Sequence, residues 1–232
     1  MSSESIPLGL CPIQTCSYLP KQNEQIAVVF ESRFQTPQYY EAFLDMGFRR
    51  SGEMIYRPNC PSCQACQSIR ILTPAFKPSR SQKRLIKQAQ KLAIRWQVKD
   101  KMDENWYPLY DAYICARHRD GSMYPPDRKT FESFSQSEWL NVKYLHLYQD
   151  EKLIAIAVID VLADSLSAFY TFFDPENPLS LGSLAILYQV EVAQINNKKW
   201  LYLGFQIDEC PAMSYKDRYH PHQKLVNQTW QG

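Results

Sequence analysis

Residues 143–182 read KYLHLYQDEKLIAIAVIDVLADSLSAFYTFFDPENPLSLG. Three extended runs stand in this stretch, 143–148, 153–162 and 166–173, joined by turn signals at Asp150-Glu151 and Ala163-Asp164. Asp174-Pro175 breaks the third run. Leu181-Gly182 then opens an apolar helix over 183–195, and 200–205 reads as a further strand. A meander of three strands leading into a β–α–β unit predicts an α/β (α+β) fold of the GNAT-like acyltransferase kind, with a mixed, largely antiparallel sheet. In that fold the loop before the helix holds a phosphate-bearing donor near the helix N-terminus. This nominates Asp174, Ser180, Leu181 and Gly182.

Upstream the pattern is more helical. Residues 26–30 (Ile-Ala-Val-Val-Phe) suit a short strand, and 36–46 a helix with Pro37 in its first turn and Gly47 closing it. Residues 48–57 suit extended chain and 69–72 another strand. The strongest helical period runs over 80–96, where Leu85, Ile86, Ala89, Leu92, Ala93 and Trp96 share one face and Ser79 can cap the first turn. Shorter helices are expected over 104–118 and 127–134. These elements divide the chain into a Cys-containing N-terminal region (1–79), a basic linking helix (80–99) and a C-terminal acyltransferase region (100–232).

With 45% apolar and 13% aromatic residues, the 232-residue chain has ample material for a packed interior. No run of about 18 apolar residues is present, so no membrane partner is expected. Residues 1–9 lack the basic head and apolar run of a signal peptide, which places the protein in the cytoplasm. The absence of a heptad seam points to a monomer.

Charge is unevenly spread. Between residues 54 and 99 stand ten basic residues and no acidic one. Lys83, Arg84, Lys87, Lys91 and Arg95 fall largely away from the apolar stripe of the linking helix. An ordinary solvated helix mixes signs to gain i,i+4 pairs; this one forgoes them, which favours a polyanionic partner such as RNA.

Seven cysteines in a cytoplasmic chain are thiols, core residues or ligands rather than disulfides. Cys60, Cys63 and Cys66 follow a two-residue spacing that lets thiolates converge on zinc or an iron–sulfur cluster, with Cys16 or Cys11 as a fourth ligand; they also suit small apolar loop residues. His118, His146, His220 and His222 show no metal-binding spacing. No GxSxG, P-loop or dinucleotide fingerprint is present, which excludes the hydrolase, NTPase and dehydrogenase classes that those motifs mark.

Several segments together carry a resemblance: Cys16-Ser-Tyr-Leu-Pro20; Phe48-Arg-Arg-Ser-Gly52; Tyr56-Arg-Pro-Asn-Cys60 with Cys63, Cys66 and Arg70; Phe76-Lys-Pro-Ser-Arg-Ser-Gln82; Phe173-Asp-Pro175; Ser180-Leu-Gly182; Tyr202-Leu-Gly-Phe205; and Met213 with Tyr215-Lys216. In these the chain resembles the bacterial aspartate/glutamate leucyltransferases, relatives of the eukaryotic arginyl-tRNA–protein transferases. The resemblance implies transfer of leucine from leucyl-tRNA to proteins that begin with Asp or Glu, marking them for degradation. It places Tyr202 and Gly204 with the donor, and it implies an iron–sulfur cluster at Cys16, Cys63 and Cys66. The chain departs from the pattern at Pro211-Ala212-Met213, where relatives have a lysine, and at Asp208-Glu209, where relatives are neutral.

The donor ester is already activated, so no cofactor is required, and direct attack by the acceptor amine suffices. Arg80, Lys83, Arg84, Lys87 and Lys91 are nominated to bind the aminoacyl-tRNA. Arg70, Lys216 or Arg218, with Tyr215 nearby, would hold the acceptor carboxylate, because an acid needs a cationic partner. Asp174 would orient or deprotonate the amine. Arginyl transfer, and an RNA-binding module without catalysis, are the alternatives. A CoA-dependent acyltransferase would need a glycine-rich donor loop, and this loop has only Gly182.

Overall fold

The computed structural model describes residues 6–232; the first five residues, where the leader expectation for 1–9 mostly falls, lie outside the described residues. In chain order the elements are β1 (Leu8–Leu10), β2 (Gln14–Thr15), β3 (Asn23–Glu24), β4 (Ile26–Val29), α1 (Pro37–Asp45), β5 (Arg49–Ser51), β6 (Met54–Pro58) and β7 (Gln67–Leu72). They continue with α2 (Arg80–Lys91), β8 (Arg95–Lys99), α3 (Trp106–Arg117), α4 (Arg128–Ser135), β9 (Asn141–Gln149), β10 (Lys152–Val161) and β11 (Ser165–Phe173). The last are α5 (Leu181–Ile195), β12 (Trp200–Gln206), β13 (His222–Val226) and β14 (Thr229–Gln231).

An eight-stranded sheet in the order β14-β13-β7-β12-β11-β10-β9-β8 dominates the molecule. Its one parallel pair is β11 with β12; every other neighbour is antiparallel. This is the mixed, largely antiparallel sheet expected of a GNAT-like fold. Strand β10 explains why: it is covered on both faces. Ala155, Ala157 and Ile159 pack in the cluster of α5, while Ile156 and Val158 pack with α3 and α4. The period-2 alternation of side chains sends each set to its own layer, and the two alanines let α5 approach closely.

A second sheet, β1-β4-β6-β5, packs with α1 around Phe34, Tyr40, Phe43 and Ile55. The expected boundary at residue 79 does not separate two sheets, because β7 pairs with β12 and β13 inside the large one. Arg50 of β5 fastens the sheets together. Its guanidinium meets the Asp160 carboxylate of β10 at 2.5 Å with both side chains fully buried, and it also donates to the carbonyls of Gly52, Ser135 and Gln136. Tyr40 and Ser167 donate to the other Asp160 oxygen.

The linking helix is shorter than its period predicts. α2 starts with a capping box, Ser79 Oγ accepting from Gln82 N and Gln82 Oε1 accepting from Ser79 N. It stops at Lys91, where Ala93 turns left-handed (φ 51°), Ile94 N donates to Ala89 O and Ala93 N to Gln90 O. That is a Schellman closure with alanine in the place glycine usually takes. Residues 95–99 then form β8 on the edge of the large sheet beside β9, so the expected helix over 80–96 and the linker over 80–99 are each a helix followed by a strand. Trp96 packs on the core from the strand, not from the helix. Among the described residues, no helix is long and apolar enough to cross a membrane.

Candidate active site at the split between β11 and β12

The parallel pair is short. Ser165, Leu166 and Ser167 register with Trp200, Leu201 and Tyr202, and beyond them the strands part. β11 runs on beside β10, and β12 bends toward β7 through an irregularity between Tyr202 and Gly204, where Gly204 has φ 83°. Where they part, two cations bond a carbonyl of each strand. Arg49 Nη2 donates to Ala168 O at 2.8 Å, and Lys216 Nζ donates to Phe205 O. The crevice at the carboxyl ends of parallel strands is where open α/β sheets bind ligands.

Arg49 comes from β5 and Lys216 from a short 3-10 turn, Ser214–Arg218. Consecutive strand residues point to opposite sides, so Arg50 reaches Asp160 while Arg49 reaches the split. Arg49 is 6% exposed, and its Nη1 has no hydrogen-bond partner. Among the described residues no carboxylate pairs with Arg49 or Lys216. Burial first, and then the charge of Arg49, push the Lys216 ammonium down to about 7. The Tyr56 ring stands 6.4 Å from that of Phe205, and both side chains open onto a cavity of about 700 Å³ whose walls include Tyr18, Cys66, Ser68 and Gln228.

Cys16, Cys60, Cys63 and Cys66 line one wall of this cavity. They do not form a ligand set as placed: among the described residues no three Cys, His, Asp or Glu side chains converge as a metal site requires. Cys16 Sγ accepts from Leu19 N at 3.4 Å, and Cys60 Sγ lies 3.7 Å from Gln25 O. Cys60, Cys16 and Cys63 all stand close enough to Cys66 to act on its charge. Burial, with Cys60, Cys16, Cys63 and Glu24 nearby, pushes the Cys66 thiol up to about 12. Since the thiolate is the nucleophile, Cys66 in the native chain is expected to react with iodoacetamide at pH 8 at least about tenfold more slowly than in urea. Peptide mapping by mass spectrometry checks this.

The other nominated residues divide. Arg70 is corrected from acceptor ligand to internal tie: its guanidinium meets Asp45 at 2.5 Å, bonds Tyr202 Oη and Gln223 Oε1, and lies 3.8 Å from the Trp200 ring and 4.0 Å from that of Trp230. Tyr202 belongs to the same network through Asp45, so its hydroxyl does not face a donor. Gly204 does lie at the split; a Cβ there would stand 3.7 Å from the Arg49 guanidinium.

Asp174 is a poor base. Burial alone would raise its carboxyl, but the hydrogen bonds from Lys152 and Glu176 N and the Lys152 charge, 2.9 Å away, hold it below the ordinary value. Such a group takes no proton from an amine near ~8. Leu181 is fully buried in the core and cannot touch a ligand. Ser180 is exposed ahead of α5, with its Oγ on Ser183 Oγ, and Gly182 follows in the first turn. Tyr215 packs against the core beside Lys216, which leaves it a supporting position.

Arg80, Lys83, Arg84, Lys87 and Lys91 are all exposed, and among the described residues none forms an ion pair. α2 packs on α5, and Gln82 Nε2 donates to Arg218 O at 3.1 Å, so its cationic surface adjoins the turn that carries Lys216; Arg218 is exposed at the same place. Asp208 pairs with Lys224 at 2.9 Å. Arg49 and Tyr56 are the residues that sequence reasoning missed, although both stand within the segments Phe48–Gly52 and Tyr56–Cys60 that carry the resemblance.

Comparison with known proteins agrees with this architecture. The structure of L-PGS from Bacillus licheniformis superposes with a TM-score of 0.52 at 10% identity, over 83% of this chain and 61% of that one. A conserved protein of unknown function from Bacteroides thetaiotaomicron gives 0.51 at 8% identity, over 90% and 81%. These likenesses concern the fold alone. In sequence, the chain is 55% identical to an aspartate/glutamate leucyltransferase of Vibrio cholerae and 54% to that of Vibrio vulnificus, over 100% of both chains each time. It is 45% identical to that of Aeromonas hydrophila, over 97% of this chain and 94% of the relative. Residues 14–84 match the family described as arginine-tRNA-protein transferase, N terminus, and residues 105–226 its C terminus. With both halves matched in order and relatives this similar along the whole length, the chain belongs to the arginine-tRNA-protein transferase family.

Proposed function

We propose that the protein transfers leucine from leucyl-tRNA to the α-amine of proteins beginning with Asp or Glu, and thereby marks them for degradation. The observation that carries this reading is the split between β11 and β12, flanked by an acid-free cationic helix whose first turn is tied through Gln82 and Arg218 to the turn that carries Lys216. Exposed cations along α2 suit the phosphates of a tRNA. The first turn of α5 offers its N-terminal N–H groups to the aminoacyl-adenosine end. The leucyltransferase names of the relatives supply the donor and the acceptor class. Cytoplasmic residence and action as a monomer belong to the same proposal.

The reaction needs no covalent intermediate. The acceptor amine attacks the ester carbonyl, a C–N bond forms, and the 3′-oxygen of the terminal adenosine leaves with a proton. The protein's part is to hold both substrates at the split and exclude water. Cys66 is too basic to act as a nucleophile, and none is required. The test is transfer of radiolabelled amino acid from leucyl-tRNA or arginyl-tRNA to peptides beginning with Asp, Glu, Lys or Ala. Leucine on the Asp and Glu peptides alone is the expected result. Arginine in its place would assign the chain to arginyl transfer, and RNA binding without transfer would make it a binding module.

A further inference from the structure

We propose that Arg49 and Lys216 form the site that takes the side-chain carboxylate of the acceptor's first residue and so set the preference for Asp and Glu. This rests on the transfer reaction above and names the residues that read its acceptor.

The two cations come from different parts of the chain and meet at one place. Each is anchored by donation to a carbonyl of one of the two parting strands, Ala168 O for Arg49 and Phe205 O for Lys216. Both positions are therefore fixed by the same backbone feature. Neither has a counter-ion among the described residues, whereas Arg50, Arg70, Lys152 and Lys224 each have a carboxylate. Arg49 Nη1 is buried with nothing to donate to, although a buried polar group is ordinarily hydrogen-bonded. The charged or titratable groups that face Lys216 are Arg49, Cys66 and Cys210. A buried guanidinium with an unpaired donor, beside a half-buried lysine and no carboxylate, favours an incoming anion, and guanidinium matches carboxylate geometry with two parallel donors.

The surroundings fit a short acidic side chain better than a tRNA phosphate. The exposed cations of α2 already offer a phosphate track in solvent, whereas Arg49 is 6% exposed. Gly204, with its left-handed backbone and no Cβ, lets the chain of β12 lie directly against the Arg49 guanidinium. With its carboxylate on the two cations, the acceptor would have its α-amine a few bonds away, at the mouth of the crevice where the ester carbonyl is presented.

The experiment uses the full-length chain, saturating leucyl-tRNA and two peptides that differ only in a first residue of Asp or its neutral isostere Asn. Arg49→Gln and Lys216→Met are each expected to lower kcat/KM for the Asp peptide about a hundredfold. The much smaller Asn rate should stay within about threefold, so that the Asp-to-Asn preference collapses, and the KM for leucyl-tRNA should not change. Arg49→Lys should keep part of the preference. Equal losses with both peptides would overturn the proposal by showing that the cations only support the split. A raised KM for leucyl-tRNA with the preference intact would overturn it by assigning the anion to the nucleic acid. Thermal unfolding identifies a variant that fails to fold, in which case Lys216→Met carries the test. If the wild-type chain transfers to neither peptide, the transfer reading fails separately. Calorimetric binding of the same peptides then decides the site: tighter binding of Asp that Lys216→Met removes supports it, and equal binding of Asp and Asn contradicts it.

Discussion

Asp160→Ala is expected to lower the free energy of unfolding by about 3–5 kcal/mol, measured by urea denaturation. The size follows from what the substitution leaves behind. Arg50 and Asp160 are both fully buried and meet at 2.5 Å. Burial works against the Arg50 charge, and Asp160 outweighs it. Removing the carboxylate strands a guanidinium where no water can reach it, and it frees the hydroxyls of Tyr40 and Ser167 from their acceptor. Set against the roughly 5–15 kcal/mol that holds an ordinary domain together, the loss is large. Because Arg50 joins β5 to β10, it should also loosen the sheet that carries Arg49. Arg50→Met combined with Asp160→Leu should recover much of the stability, since replacing a whole buried pair with apolar residues is often neutral or better. A loss under about 1 kcal/mol for Asp160→Ala would mean that the pair is not buried as described.

The second large effect concerns RNA. Replacing Arg80, Lys83, Arg84 and Lys87 together by Gln should weaken leucyl-tRNA binding by roughly a hundredfold or more near physiological salt. The slope of log Kd against log salt should fall by roughly 3–4, about 0.7–0.9 unit for each of the four phosphate contacts removed. Folding should be nearly unaffected, because these side chains are exposed and among the described residues make no ion pairs. Titration of labelled tRNA at several salt concentrations, alongside thermal unfolding, separates the two effects. Unchanged affinity would remove α2 from the interface.

Most of the fold was readable from periodicity. The three strands and helix of 143–195 and the strand at 200 all stand where their patterns put them, because β10 and α5 are apolar on nearly every side and Asp174-Pro175 marks the break between β11 and α5. The end of α2 was hidden for a definite reason. Its stop uses Ala93 in a left-handed conformation, so no glycine marks it, and Ile94, Trp96 and Val98 suit a strand as well as Trp96 suits the helical stripe.

The site was less legible because its chemistry depends on which charges find partners. Arg70, Arg49 and Arg50 are all basic residues in strands, and sequence does not distinguish them. The fold gives Arg70 an aspartate and two indoles, gives Arg50 an aspartate, and leaves Arg49 without an acid. Lys216 was nominated for its charge; its burial at the split follows from where β12 parts from β11, which a sequence does not state. The loop that carries Cys60, Cys63 and Cys66 sets them along a cavity wall together with Cys16.

The central claim is that transfer takes place at the split between β11 and β12. The most direct measurement is a structure of the protein with a non-hydrolysable leucyl-adenosine in which an amide replaces the 3′-ester. The leucyl carbonyl is expected at the split, beside Ala168, Gly204 and Phe205, with the adenosine reaching toward the first turn of α5. An analogue seated instead in the second cavity, between Asp100, Trp106 and Asn141, with the split closed, would contradict it.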